Sequence, residues 1–265
     1  MRKIIYNENY RQKLFDKGIE SHIYTYEDLD NYDDIVLLKK FVDINKRMEK
    51  IEKDRILQGD FDVTCGLNTM ELFLESKRNK IHLLSERQSL KNEVTIYDEL
   101  VDKDDNFIGY TMAKSDYKPI DNFERRKYKL IFLKLIREKI RRLNEDNIYI
   151  GDFNVKNFLV SPNKDDIKLC DIDNFKIDGY DFNIRSQEAL IFKNGCSMEN
   201  KIDSFCFNIF TLSLLLNKDM PYVAYYLKEL KIPRFISNNE NKDIIDSMIH
   251  LDDSYKPKYL IDNIK

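Results

Sequence analysis

Ile148-Tyr-Ile-Gly-Asp-Phe-Asn-Val-Lys-Asn-Phe-Leu-Val160 and, shortly after it, Ile167-Lys-Leu-Cys-Asp-Ile-Asp173 decide how this chain is read. Asp152 is followed five residues later by Asn157, which runs straight into an apolar stretch. A second apolar stretch ends on Asp171. The two are joined by the polar, turn-forming Ser161-Pro-Asn-Lys-Asp-Asp166, so they predict short strands at 157–160 and 167–170. Oxygen-bearing side chains therefore stand at the start of one strand and the end of the next.

Working outward, Asn122 to Leu143 has a helical period, with Ile131, Leu135, Ile136 and Ile140 on one face and Arg137, Lys139 and Arg141 on a face read as solvated. Beyond Asp173 a long segment to Lys201 has little periodicity. Asp203 to Leu216 is then apolar almost throughout, which predicts a buried helix. Two more helices are expected at 223–231 and 242–251. Toward the N-terminus the pattern changes to strands. Arg11–Lys17 and His22–Tyr26 flank a turn containing Gly18, and Ile35-Val-Leu-Leu-Lys-Lys-Phe41 is a third apolar run. Helices are expected at Ile44–Gln58 and Met70–Gln88, with a loop over 59–68 between them. Val94–Val101 and Phe107–Met112 read as a hairpin closed by Asp102-Lys-Asp-Asp-Asn106. The expected organisation is a strand-rich unit over residues 1–113 and a mainly helical one over 114–265, an α+β chain.

Composition narrows the function. Among 265 residues, 42% are hydrophobic and 34% charged, enough apolar material for a sizeable core. Formal net charge is -3, from 44 basic and 47 acidic residues, which gives no reason to expect nucleic acid as the main ligand. Four cysteines form no C-x-x-C pair and there are three histidines, which argues against a zinc site and fits a reduced, cytoplasmic setting. The N-terminal residues lack the apolar core of a signal peptide. The longest apolar run, Ile209 to Leu216, is too short for a membrane span.

The order of strand-rich unit, connector, long helix, Asp…Asn loop, strand pair ending in Asp, long segment and buried helix resembles the protein-kinase-like superfamily over nearly the whole length. That resemblance implies a bilobal fold with ATP and Mg²⁺ bound between the lobes. It makes Asp152 the residue that orients the acceptor hydroxyl, with Asn157 and Asp171 as metal ligands. Phosphoryl transfer asks mainly for positioning and charge neutralisation, and hard oxygen donors suit Mg²⁺. Val36-Leu-Leu-Lys39 resembles the strand whose Lys contacts the α- and β-phosphates; because side chains alternate along a strand, only one of Lys39 and Lys40 can face the cleft, and the resemblance selects Lys39, since Leu37 then takes the place of the small residue two before the Lys. Gly18 falls where a loop covers the phosphates, and the backbone around Met112, between Thr111 and Ser115, falls where the adenine edge is read. The helix Glu that pairs with the Lys is Glu52 or Glu75. Asp173 is an auxiliary metal ligand or a loop brace. Asp203 resembles the Asp that braces the catalytic-loop backbone. Lys256-Pro257 resembles the Arg-Pro that pairs with Glu at the end of the activation segment, for which Gln187-Glu188-Ala189 is the candidate.

The chain also departs from the pattern. Ile150-Gly151 precedes Asp152 in place of His-Arg, and Asn154 stands where a phosphate-contacting Lys is usual. Asp171-Ile-Asp173 replaces Asp-Phe-Gly, and Asp16 and Ser21 replace two loop glycines. The missing Arg removes the usual link to a phosphorylated activation segment. The implied activity is a divergent serine/threonine protein kinase acting on a protein substrate. A pseudokinase scaffold and a kinase for a small-molecule hydroxyl acceptor remain the alternatives.

Overall fold

The computed structural model describes residues 1–7, 12–17, 21–26, 36–42, 69–93, 96–120, 125–177, 179–180 and 202–217. Among these, the N-terminal half forms a mixed six-stranded sheet. Its strands are β1 (Lys3–Ile5), β2 (Gln12–Lys17), β3 (Ser21–Tyr26), β4 (Val36–Phe41), β5 (Ile96–Val101) and β6 (Phe107–Ala113), in the order β1-β5-β6-β4-β3-β2. All neighbours are antiparallel except β1, which adds to β5 in parallel. β1 has no counterpart among the expected strands: three residues carry too little periodicity to announce themselves.

Strand β4 explains why the sheet is covered on both sides. Its side chains alternate, and Leu37 and Phe41 join Phe73, Ile81, Phe107, Tyr110 and Met112 in one apolar cluster. Leu38 packs with Leu100 on the opposite face. Lys39 shares the Leu37 and Phe41 face, whereas the Lys40 ammonium stacks over the Tyr6 ring. The cover on the Lys39 side is helix α1 (Met70–Glu86), started by Thr69, whose hydroxyl accepts from Leu72 N. Arg78 of α1 donates twice to Glu99 of β5, at 2.7 and 2.9 Å, which locks the helix to the sheet.

A second sheet, β7 (Lys118–Pro119), β8 (Phe158–Val160) and β9 (Ile167–Leu169), lies beside helices α2 (Arg126–Glu145) and α3 (Ile202–Leu216). Its core draws Phe132, Leu133, Ile136 and Ile140 from α2, Phe158 and Val160 from β8, and Phe205, Phe207, Ile209 and Phe210 from α3. Of the expected stripe of α2, Ile136 and Ile140 are buried and Leu135 packs against the core, whereas Ile131 is exposed and Phe132 and Leu133 take interior positions instead. The basic face of α2 is also not wholly solvated. Lys139 pairs with buried Glu93, which accepts a second bond from Leu169 N. That carboxylate ties the segment after α1 to both α2 and β9. Helix α3 is buried around its circumference, in keeping with its composition. The helices expected at 44–58, 223–231 and 242–251 lie outside the described residues. Among the described residues, no helix is long and apolar enough to cross a membrane.

A close backbone approach in the six-stranded sheet lies beside Lys39. Gly109 of β6 stands opposite Lys40 of β4, and a Cβ there would fall 2.0 Å from the Lys39 carbonyl oxygen. Gly109→Ala is therefore expected to push the strands apart and destabilise the protein by about 3 kcal/mol or more. Urea denaturation checks this, and an unchanged midpoint would contradict the close approach.

Candidate functional site

The Asp152 loop is held from below. Helix α2 ends at Glu145, the chain reverses through left-handed Asn147, and Ile148 and Ile150 turn into the core. Gly151 has φ +66°, a conformation that a side chain disfavours. Asp203, in the first turn of α3, accepts from Ile150 N and Gly151 N, both at 2.9 Å, one on each carboxylate oxygen. Phe153 packs on Phe158, Phe207 and Phe210. Asp152 therefore projects between two fixed points and is itself half-buried. Burial pushes the Asp203 carboxyl up to about 7, against the two N–H donors, which draw it down.

Asn157 closes the loop from the other side. Its Nδ2 donates to the Asp152 carbonyl at 3.3 Å and to Asp152 Oδ2 at 3.2 Å. Its own carbonyl accepts from Cys170 N at 3.0 Å, which places it beside the end of β9 and hence beside Asp171. Asn154, where the pattern has a Lys, caps the 3-10 turn Val155–Asn157 by accepting from Lys156 N.

Asp171 connects the loop region to the six-stranded sheet. It adopts φ +58°, ψ +31°, uncommon for a residue with a side chain, and such strain collects at functional positions. Its carboxylate is 39% exposed and takes the Lys39 ammonium at 2.6 Å, across 132 residues of chain. Lys39, itself 2% exposed, also meets Asp173 at 2.7 Å. Asp173 is wholly buried and receives three donors: Lys39 and the Tyr110 hydroxyl at 2.7 Å on Oδ1, and Lys77 of α1 at 2.6 Å on Oδ2. Lys77 also donates to Asn174 Oδ1. Burial alone would draw the Lys39 pKa down, but Asp171 and Asp173 hold it well above the ordinary lysine range. Burial would raise Asp173, but Lys39 and Lys77 hold it well below the usual carboxylate range. The Tyr110 phenol is driven well up, by burial first and by Asp173 next, so it stays a donor.

The structure thus brings two of the sequence-selected pairs into contact, Asp152 with Asn157 and Lys39 with Asp171. Met112 stands in β6 opposite Leu37, with its side chain in the apolar cluster. Gly18, Glu52, Glu188 and Lys256 lie outside the described residues. Glu75 is corrected: it is exposed on α1, and the carboxylates on Lys39 are Asp171 and Asp173. The inward positions of α1 are Phe73, Lys77, Lys80, Ile81 and Leu84, so the helix turns lysines toward the interior where a Glu is expected. Lys77, Tyr110 and Asn174 are site residues that sequence reasoning passes over. The available signal is that Lys77 falls four residues after Phe73 and before Ile81, on the apolar stripe itself.

Asn157 and Asp171 offer a carboxamide and an accessible carboxylate, hard oxygen donors of the kind Mg²⁺ accepts when waters and phosphate complete its shell. The Asn157 NH₂ is occupied by Asp152, which leaves the amide oxygen for a cation. Among the described residues, no group of three or more His, Cys, Asp and Glu is arranged around a single metal position. A scan against protein-family models and a search of curated proteins both return no match.

The Asp203 brace has a pH signature. Its carboxyl binds a proton more tightly folded, to about pH 7, than unfolded, near pH ~4. Its contribution to stability is therefore fully present below about pH 4 and is lost as pH rises through about 7. Asp203→Asn removes that slope and one of the two N–H acceptors. Urea midpoints of the variant should fall less between pH 5 and 8 than those of the wild type, with the larger deficit at pH 5. Parallel pH profiles would mean that Asp203 does not titrate in this window.

Proposed function

We propose that this protein is an ATP- and Mg²⁺-dependent phosphotransferase with a bilobal protein-kinase-like fold, a divergent serine/threonine kinase acting on a protein hydroxyl. The observation that carries the reading is the 2.6 Å contact between Lys39 and Asp171. These are the residues selected from separate sequence patterns as the phosphate-contacting cation and the metal-binding carboxylate. The Asp203 brace beneath the Asp152 loop supports the same reading, because it fixes the backbone from which the acceptor-orienting carboxylate projects.

In this reading Asp152 accepts a hydrogen bond from the incoming hydroxyl and takes its proton as that oxygen bonds to the γ-phosphorus of ATP, while the bond from this phosphorus to the β–γ bridging oxygen breaks and ADP leaves with its electron pair. Asn157 Nδ2 holds Asp152 in one orientation through the contact already present. Lys39 donates to the α- and β-phosphate oxygens, and Gly18 allows the preceding turn to cover them. The backbone beside Met112 reads the adenine edge. Asn157 and Asp171 would hold Mg²⁺, which when bound neutralises triphosphate charge. Preorganised charge of this kind supplies most of what phosphoryl transfer needs from a protein.

One observation favours a second reading, a nucleotide-responsive scaffold without turnover. Lys39 and Asp171 neutralise each other directly, so both must exchange partners before phosphate and metal can be held. Stabilisation by ATP and Mg²⁺ without phosphate transfer to any acceptor would favour the scaffold.

Asp152→Asn is expected to lower phosphate transfer by at least about a hundredfold while nucleotide binding stays close to wild type. Mass spectrometry of the protein after incubation with ATP and Mg²⁺ provides the readout, with Asp171→Ala as the metal-site control. Wild-type turnover in Asp152→Asn removes Asp152 from the mechanism.

A further inference from the structure

We infer that Asp173 is the positioning carboxylate for Lys39, and that helix α1 reaches this pair through a cation, Lys77, instead of through a glutamate. The inference rests on the phosphotransferase reading only for the use to which Lys39 is put. The geometry behind it is independent of that use. Asp173 Oδ1 lies 2.7 Å from Lys39 Nζ, and Oδ2 lies 2.6 Å from Lys77 Nζ. One carboxylate thus bridges strand β4 and helix α1. Tyr110 donates to the same Oδ1 from β6, at 2.7 Å. Lys77 spans on to Asn174 and so grips two consecutive residues of the 3-10 turn Ile172–Asn174.

A second role for Asp173, as an auxiliary metal ligand, fits this geometry poorly. Both its oxygens are taken by ammonium groups and it has no exposure. Asp171, two residues earlier, is 39% exposed. The two carboxylates of Asp171-Ile-Asp173 therefore divide the work. The inner one fixes the lysine and the outer one is left to exchange between lysine and cation. A buried carboxylate between two lysines is costly to disrupt, because removal of its charge leaves two ammonium groups facing each other. The polarity of the link has a further consequence. Lys77 attaches α1 to the turn that directly follows Asp171. Helix position and loop position then move together.

The test uses the full chain. Asp173→Asn is near-isosteric and should weaken ATP binding in the presence of Mg²⁺ at least tenfold, with the Mg²⁺ concentration for half-maximal effect unchanged. Adding Lys77→Glu to Asp173→Asn returns a carboxylate to the same place from the helix side, and should restore ATP affinity to within about threefold of wild type. A purely structural role predicts no such rescue, and a metal-ligand role predicts a shift in Mg²⁺ dependence. Unchanged ATP affinity in Asp173→Asn, or a change confined to Mg²⁺ dependence, overturns the inference. If the wild type binds no nucleotide, the phosphotransferase reading fails by itself. The Lys39–Asp173 link is then decided by urea melts: Lys39→Met combined with Asp173→Asn should lose no more than the worse single variant, and additive losses overturn it. Should Asp173→Asn not fold, recovery of folding in Lys77→Glu/Asp173→Asn supports the inference and its absence overturns it.

Discussion

A carboxylate with no exposure, Asp173, receives the ammonium groups of Lys39 and Lys77 and the hydroxyl of Tyr110. These donors come from β4, α1 and β6, so one side chain ties the sheet, the helix on it and the end of β9 to a single point. Burying an ion pair is costly unless the remaining hydrogen-bonding capacity is met. Here each oxygen has a charged donor and one has a neutral donor as well. That saturation accounts for Lys77 on the inward face of α1, where apolar residues are the rule.

The Asp152 loop depends on a different kind of anchor. Asp203 holds its backbone through two N–H groups, and Phe153 plugs it into an aromatic cluster contributed by β8 and α3. The apolar composition of α3 is therefore part of the site's construction as well as of the core. It places a carboxylate at the base of a loop whose Gly151 must adopt a left-handed conformation. Between the two anchors the Asn157 carbonyl, bonded to Cys170 N, joins the loop to the Asp171 strand end. Asp152, Asn157, Asp171 and Lys39 are thus linked by a short path of hydrogen bonds that crosses one stretch of backbone, from Cys170 to Asp171. That path is what the phosphotransferase proposal draws on.

Much of this arrangement is legible in the chain. Asp152, Asn157 and Asp171 stand out because their spacing is local: each is fixed relative to a short strand whose apolar pattern can be read. Alternation along β4 puts Lys39 and Lys40 on opposite faces without any tertiary contact, and the resemblance, in which Leu37 takes the place of the small residue two before the Lys, selects Lys39. Asp203 is legible as the polar start of an otherwise apolar helix. Glu75 is the instructive miss. Among the helix residues of α1 a glutamate is the expected partner for a lysine, and Lys77, although on the apolar stripe, is passed over. Its burial follows only once Asp173, 96 residues away, is brought against it. Strand β1 escapes for the same reason, since pairing with β5 and not its own pattern makes it a strand.

By itself, then, the sequence determined most of the described strands and helices and the oxygen-bearing residues at their ends, because these follow from short-range periodicity and backbone preference. Which charges face each other was decided by the tertiary structure alone. An ion pair is stabilised in a buried site only by partners that arrive from distant segments, and no local pattern records their arrival. Asp173 shows the difference most clearly. In the chain it is one more acidic residue after a strand; in the fold its two oxygens are claimed from two sides, and the solvent-accessible carboxylate is that of Asp171.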